Sequence, residues 1–194
     1  MISLIALCGL AGSGKSTLGE YLNQKLDIPY YHIGQILIDE CRRMQIEATQ
    51  KNKKIIGVKL GIIGTKNPLD FFMASYNYMR LLYPFPYLVL FDALRSHLEL
   101  EYLYKQENVL LIGVCLDKDE RYRRLGNTRK MSYQQILARD LNELGLRDDK
   151  NLHFNLGVLL GLADLFILTI NDPSNPRPYD RLIDNITNFI YKSE

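Results

Sequence analysis

Along the chain, apolar residues gather into short continuous runs, separated by stretches in which they recur every three or four positions. Ile2 to Cys8, Tyr87 to Phe91, Val109 to Leu116 and Leu165 to Ile170 have the length and β-branched character of strands buried on both faces. A shorter run, Pro29 to Ile33, predicts a further strand. Between the runs, Thr17 to Leu26, Ile136 to Leu144 and Tyr179 to Tyr191 carry helical spacing. Strands that alternate with helices predict an α/β fold, a parallel sheet with helices packed on it.

Two stretches depart from this rhythm. Residues 39 to 85 are helical in flavour and mix the basic run KNKK with the aromatic segment DFFMASYNYMRLLYPF, which Pro84 and Pro86 close. They read as an insertion on the acceptor side. Its aromatics, Phe71, Phe72, Tyr76 and Tyr78, fit core packing better than a base pocket at this spacing. Residues 118 to 132, KDERYRRLGNTRKMS, concentrate Arg121, Arg123, Arg124, Arg129 and Lys130 between a strand and a helix and are expected to form a mobile lid. No internal repeat or low-complexity tract is present.

The chain has 194 residues, 47% of them hydrophobic and 24% charged, enough for one domain with a sizeable core. Its 24 basic and 22 acidic residues leave a net charge of +2, so neither a nucleic-acid coat nor a membrane-surface protein is expected. Cys8, Cys41 and Cys115 match neither a disulfide framework nor a CxxC metal site, which predicts a reducing, cytoplasmic setting. The opening run MISLIALCGL lacks a basic leader and leads directly into a glycine-rich segment, so a first core strand explains it better than a signal peptide.

That glycine-rich segment, GLAGSGKS from Gly9 to Ser16, satisfies the phosphate-loop pattern G-x-x-x-x-G-K-S/T at every fixed position. It follows an apolar strand and opens a helix, so main-chain N–H groups from Ala11 and Ser13 to Thr17 can converge on phosphate oxygens. Gly9, Gly12 and Gly14 permit the tight path, Lys15 supplies a cation to the β- and γ-phosphates, and the Ser16 hydroxyl is a ligand for Mg²⁺. ATP with Mg²⁺ is the expected donor.

A second constellation is LVLFDALRSHLELEYL, in which a strand carries Asp92 to the sheet edge where open parallel sheets bind ligands. Asp92 can hold the Mg²⁺ shell or take a proton from the acceptor, and Arg95 can grip an acceptor phosphate. The ordinary alternative is a capping Asp followed by a surface Arg. The arginines of 118 to 132, Arg121, Arg124 and Arg129 foremost, suit a reaction catalysed by cations placed around a transferred phosphoryl group. Arg139 and Asp140 are expected to pair with each other or to touch phosphate, and Asn171, after the last strand, to offer polar groups to an adenine edge.

With FDALRS and its acidic followers Glu99 and Glu101, RDLNEL at 139–144 and ADLFILTIND at 163–172, the chain resembles the archaeal adenylate-kinase-related P-loop proteins, relatives of nucleoside monophosphate kinases and dephospho-CoA kinases. The resemblance spans most of the chain and implies a three-layer α/β/α fold with a five-stranded parallel core, an acceptor-binding insertion and an arginine lid that closes over ATP. It implies transfer of the γ-phosphoryl group to a nucleoside or deoxynucleoside monophosphate, with Gly34 and Arg42 on the acceptor side. One departure stands out. Where the family has Gly-Asp, two apolar residues and Arg, Gly34 is followed by Gln35, Ile36, Leu37 and Ile38, so Arg42, Arg43 or Arg80 is expected to replace the missing cation.

Other functions stay open on sequence grounds. A phosphate loop also serves switches and ATPases. A GTPase is disfavoured because Asp92 lacks the D-x-x-G glycine and TKNP, at 65 to 68, ends in Pro68 instead of the guanine-reading Asp. A dephospho-CoA kinase fits the missing Arg, since its acceptor is a ribose hydroxyl. A nucleic-acid kinase is disfavoured by the near-neutral charge.

Overall fold

The computed structural model describes residues 2–146, 154–169 and 179–191; Asn171, expected near the base, lies outside them. The apolar runs become the parallel strands β1 (Leu4–Cys8), β2 (Tyr30–His32), β3 (Val89–Leu94), β4 (Val109–Cys115) and β5 (Leu165–Leu168), in spatial order β2-β3-β1-β4-β5. The helices are α1 (Lys15–Leu26), α2 (Gln35–Arg43), α3 (Gln50–Lys59), α4 (Asp70–Leu82), α5 (His97–Tyr104), α6 (Lys118–Arg129), α7 (Tyr133–Glu143), α8 (Leu156–Gly161) and α9 (Asp180–Tyr191). Because side chains alternate across a strand, β1 feeds two cores. Leu4, Ala6 and Cys8 pack with Phe72 and Met79 of α4 and Leu159 of α8, while Ile5 and Leu7 pack with Leu18 and Leu22 of α1 and Ile186 of α9. The three-layer α/β/α arrangement with a five-stranded parallel sheet is therefore as expected.

The strand expected at 87–91 begins at Val89 and runs on to Leu94. Its register explains the shift. Leu7 pairs with Asp92 but Cys8 pairs with Leu94, so Ala93 is an extra residue, held at φ 88. A bulge of this kind re-aims the side chains beside it. Asp92 consequently lies within β3 rather than at its end.

The insertion comprises α2, α3 and α4, and α2 begins earlier than expected, at Gln35. Phe72 and Tyr76 are core residues, with Phe72 edge-on to Phe91 at 5.6 Å, which upholds the packing reading of the aromatics. Cys8 and Cys41 are buried and Cys115 half-buried; burial pushes the Cys8 thiol up to about 12 and leaves it unreactive. Among the described residues no helix is long and apolar enough to cross a membrane.

Residues 118 to 132 hold helix α6 and the turn into α7. Asp117 caps α6 by accepting the N–H groups of Asp119 and Glu120, and a Ser132–Gln135 capping box starts α7. Tyr122 and Leu125 give α6 an apolar face, packed on Ala11 and Ile136, that its arginines conceal in sequence. Arg121 does not reach toward a nucleotide. Its Nη1 and Nη2 donate to Asp140 Oδ1 and Oδ2 at 2.9 and 2.5 Å, Tyr122 donates to Asp140 at 3.1 Å, and the two charged side chains are only 5% and 8% exposed. Asp140 thus pairs with Arg121, and Arg139 instead meets Glu143 at 2.8 Å.

Removing one member of a buried ion pair leaves the other uncompensated, which costs about 3–5 kcal/mol. Asp140→Ala is expected to lose about that much in urea unfolding. A loss below about 1 kcal/mol would show that the Arg121 pair does not hold α6 to α7.

Candidate nucleotide and acceptor site

The phosphate loop leaves β1 at Gly9, where an added Cβ would lie 2.3 Å from the Val114 carbonyl oxygen, so the strand-to-loop exit has room only for glycine. Gly14, at φ 92, is the N-cap of α1, whose first turn contains no acidic residue to compete for its free N–H groups. Neighbouring elements pin the loop. Ala11 N–H donates to Glu143 Oε2 at 3.1 Å, Arg121 Nη1 donates to Ala11 O at 3.0 Å, and Thr169 Oγ1 donates to Ser13 O at 2.6 Å. Lys15 Nζ curls over the loop to Gly9 O at 2.6 Å and Leu10 O at 3.1 Å. Desolvation pushes its pKa down against the pull of Asp92 and Glu143, so its charge gains from any further anionic partner.

Asp92 is 1% exposed. Tyr30 donates to its Oδ2 at 2.7 Å and Ser16 to the same oxygen at 3.4 Å, while Oδ1 is buried without a hydrogen-bond partner among the described residues. A buried carboxylate oxygen left unpaired is costly unless a ligand satisfies it. Desolvation, reinforced by Asp92, raises the Tyr30 phenol and keeps it a donor. A hydroxyl and a carboxylate side by side are hard oxygen donors that fit Mg²⁺. No group of three or more His, Cys, Asp or Glu residues suited to a metal occurs among the described residues, so the rest of such a shell falls to water and phosphate.

Across the cleft, Arg95 leaves β3 on a tightly bonded turn. Glu99 Oε2 accepts the N–H groups of Arg95 and Ser96 at 2.5 and 3.0 Å, Ser96 Oγ returns the capping bond, and Asn155 N–H donates to Arg95 O at 3.0 Å. The Arg95 guanidinium lies 5.3 Å from the Phe154 ring centroid and has no ion-pair partner among the described residues. Beside it stands His32, whose pKa is lowered first by desolvation and then by Arg95, Lys15 and Lys53, against Asp92.

These groups share a cleft of about 340 Å³, lined by Gly9, Ala11, Gly12, Gly14, Lys15, Ser16 and Thr17, by Asp92 and Arg95, and by Arg124 and Arg129 of α6. Other expected residues lie elsewhere. Ser13 is buried under the loop, and Arg121 belongs to its ion pair. Arg42 and Arg43 pair with Asp39 and Glu40 one helical turn back, Arg80 is held by Glu107, and none of the three lines the cleft. Gly34 caps α2 without lining the cleft. His32 and Glu143 do line it and were missed. The signal for His32 was its place at a strand end two residues before Gly34; Glu143 lay inside RDLNEL.

A family model described as an AAA domain matches residues 5–144. A UPF0200 protein of Pyrobaculum aerophilum is 31% identical over 173 residues, 87% of this chain and 88% of its own length. One from Methanococcus maripaludis is 26% identical over 167 residues, covering 86% and 87%. Among solved structures, shikimate kinase from Bacteroides thetaiotaomicron superposes with a TM-score of 0.61 at 14% identity, over 96% of this chain and 99% of that one. A putative kinase from Chloroflexus aurantiacus gives 0.58 at 13% identity, over 100% of both. Fold and loop together define a P-loop protein with a kinase-like α/β/α fold. The chain belongs to the AAA-domain family and, within that class, to the UPF0200 proteins.

The Glu99 contact that fixes the Arg95 turn has a pH signature. Burial raises the Glu99 pKa, while the N–H groups of Arg95 and Ser96 and the Arg95 charge oppose the shift. A raised folded-state pKa means that stability is lost as pH climbs from the usual carboxylate range through the raised value. Glu99→Gln keeps an acceptor for both N–H groups and carries no charge, so its stability relative to the parent is expected to improve from pH 4 to pH 7, read by denaturant midpoints. A decline over that interval would contradict this.

Proposed function

We propose that the protein is an ATP- and Mg²⁺-dependent kinase that transfers the γ-phosphoryl group to a nucleoside or deoxynucleoside monophosphate. The observation that carries the reading is the order of groups in one cleft: phosphate loop, then Asp92 with an unsatisfied oxygen beside Ser16, then the unpaired cation of Arg95. In this reading the loop N–H groups and Lys15 cradle the β- and γ-phosphates. Ser16 and Asp92 hold Mg²⁺, which offsets charge on the phosphates when bound. Arg124 and Arg129 of α6 face the transferred group, and Arg95 grips the acceptor phosphate.

The acceptor oxygen bonds to the γ-phosphorus as the bond to the β–γ bridging oxygen breaks, and ADP leaves with that electron pair. A monophosphate oxygen is already deprotonated at neutral pH, so Asp92 need take no proton. A hydroxyl acceptor, as in dephospho-CoA, would need one, and Asp92 is the carboxylate available on that side of the loop. The missing family Arg after Gly34 fits this second reading, because Arg42, Arg43 and Arg80 do not line the cleft.

The test is coupled ADP release across nucleoside monophosphates and dephospho-CoA. Monophosphate-dependent release is expected, with Asp92→Asn lowering kcat by roughly a hundredfold or more and Arg95→Ala raising the acceptor KM by about tenfold while the KM for ATP holds within about threefold. Release with dephospho-CoA alone would move the acceptor from a phosphate to a hydroxyl. Full acceptor-dependent activity in both variants would place the acceptor outside this cleft.

A further inference from the structure

His32 closes β2 next to Asp92, its register partner on β3, and its imidazole lines the cleft. The ring is oriented by the main chain: Gly34 N–H donates to Nδ1 at 2.9 Å. A ring nitrogen that accepts a hydrogen bond carries no proton, and a neutral imidazole has one proton to place. Nε2 therefore carries it. His32 is exposed, and among the described residues nothing accepts a hydrogen bond from Nε2, so this donor is open to water or to a ligand. Placing a proton on Nδ1 would set two donors face to face.

Resting on the acceptor site proposed above, we propose that His32 is a specificity-determining residue whose Nε2–H donates to an oxygen of an anionic acceptor group, a phosphate or a carboxylate, gripped on its other side by Arg95. The surroundings agree. Arg95 and Lys15 line the same cleft and place positive charge near an oxyanion bound beside the ring, against the negative charge of Asp92. The arrangement also gives Gly34 a purpose. Gly34 positions the ring through its N–H, and a Cβ there would come within 3.2 Å of Nδ1 and 3.3 Å of Cε1.

Two substitutions separate this role from a merely structural one. Gln places its amide nitrogen near the position of Nε2, whereas Asn reaches only the position of Nδ1. His32→Gln is expected to keep the acceptor KM within about threefold, and His32→Asn to raise it by about tenfold, the cost of one hydrogen bond to a charged group, with the loss falling on KM more than on kcat and the KM for ATP unmoved. Rescue by Asn and not by Gln would mean that His32 only caps the Gly34 turn, and the inference would be overturned.

A second readout needs no turnover. In ¹⁵N NMR of the imidazole at pH 7.5, Nε2 is expected to be protonated, and its resonance should move when a nucleoside monophosphate joins the complex with a non-hydrolysable ATP analogue. A response to hydroxycarboxylates such as shikimate, and not to monophosphates, would assign the oxyanion as a carboxylate and keep the role of His32 while the proposed acceptor falls. A proton on Nδ1, or an Nε2 resonance unmoved by either class, would overturn the inference.

Discussion

Everything in the site depends on one piece of backbone, the left-handed path that takes the chain from β1 into α1 through Gly9, Gly12 and Gly14. That path points a helix N-terminus and a row of N–H groups at one spot, which makes a site for anions before any side chain is placed. Such a loop has no core of its own and must be held from outside. Glu143 takes the Ala11 N–H, Arg121 the Ala11 carbonyl and Thr169 the Ser13 carbonyl, so α6, α7 and the end of β5 are all tied to it. The buried Arg121–Asp140 pair is the central fastening, since it joins α6 to α7 and reaches the loop with the same guanidinium.

Around this anion cradle the charges divide by task. The buried pairs away from the cleft are structural: Arg121 with Asp140 and Arg80 with Glu107. Facing the cleft are the Asp92 Oδ1 and the Arg95 guanidinium, neither with an ionic partner among the described residues, and a Lys15 ammonium held only by loop carbonyls. In the proposed function a nucleotide, cation and acceptor would supply the partners that Asp92 Oδ1 and Arg95 lack.

The sheet was legible in the sequence because strands buried on both faces must be continuously apolar, and the phosphate loop because its glycines answer a backbone demand that few other residues meet. Where the reading failed, the causes were tertiary. Sequence spacing cannot reveal a bulge, so the displacement of Asp92 inward from the strand end awaited the pairing of Cys8 with Leu94 across β1 and β3. Arginine density at 118–132 hid the apolar face of α6, which turns Tyr122 and Leu125 inward and buries Arg121. Arg42 and Arg43 lie on α2 outside the cleft, which only the packing of that helix reveals. His32 was passed over because a single histidine carries no periodic signal.

The account stands on the claim that this cleft moves a phosphoryl group between two bound molecules instead of merely binding nucleotide or passing the group to water. Following the label of [γ-³²P]ATP with the full chain, Mg²⁺ and a panel of nucleoside monophosphates tests that claim most directly. Label is expected in a nucleoside diphosphate, formed in step with unlabelled ADP and dependent on the acceptor. Label found only as inorganic phosphate at a rate indifferent to every acceptor, or retained in ATP, would contradict it.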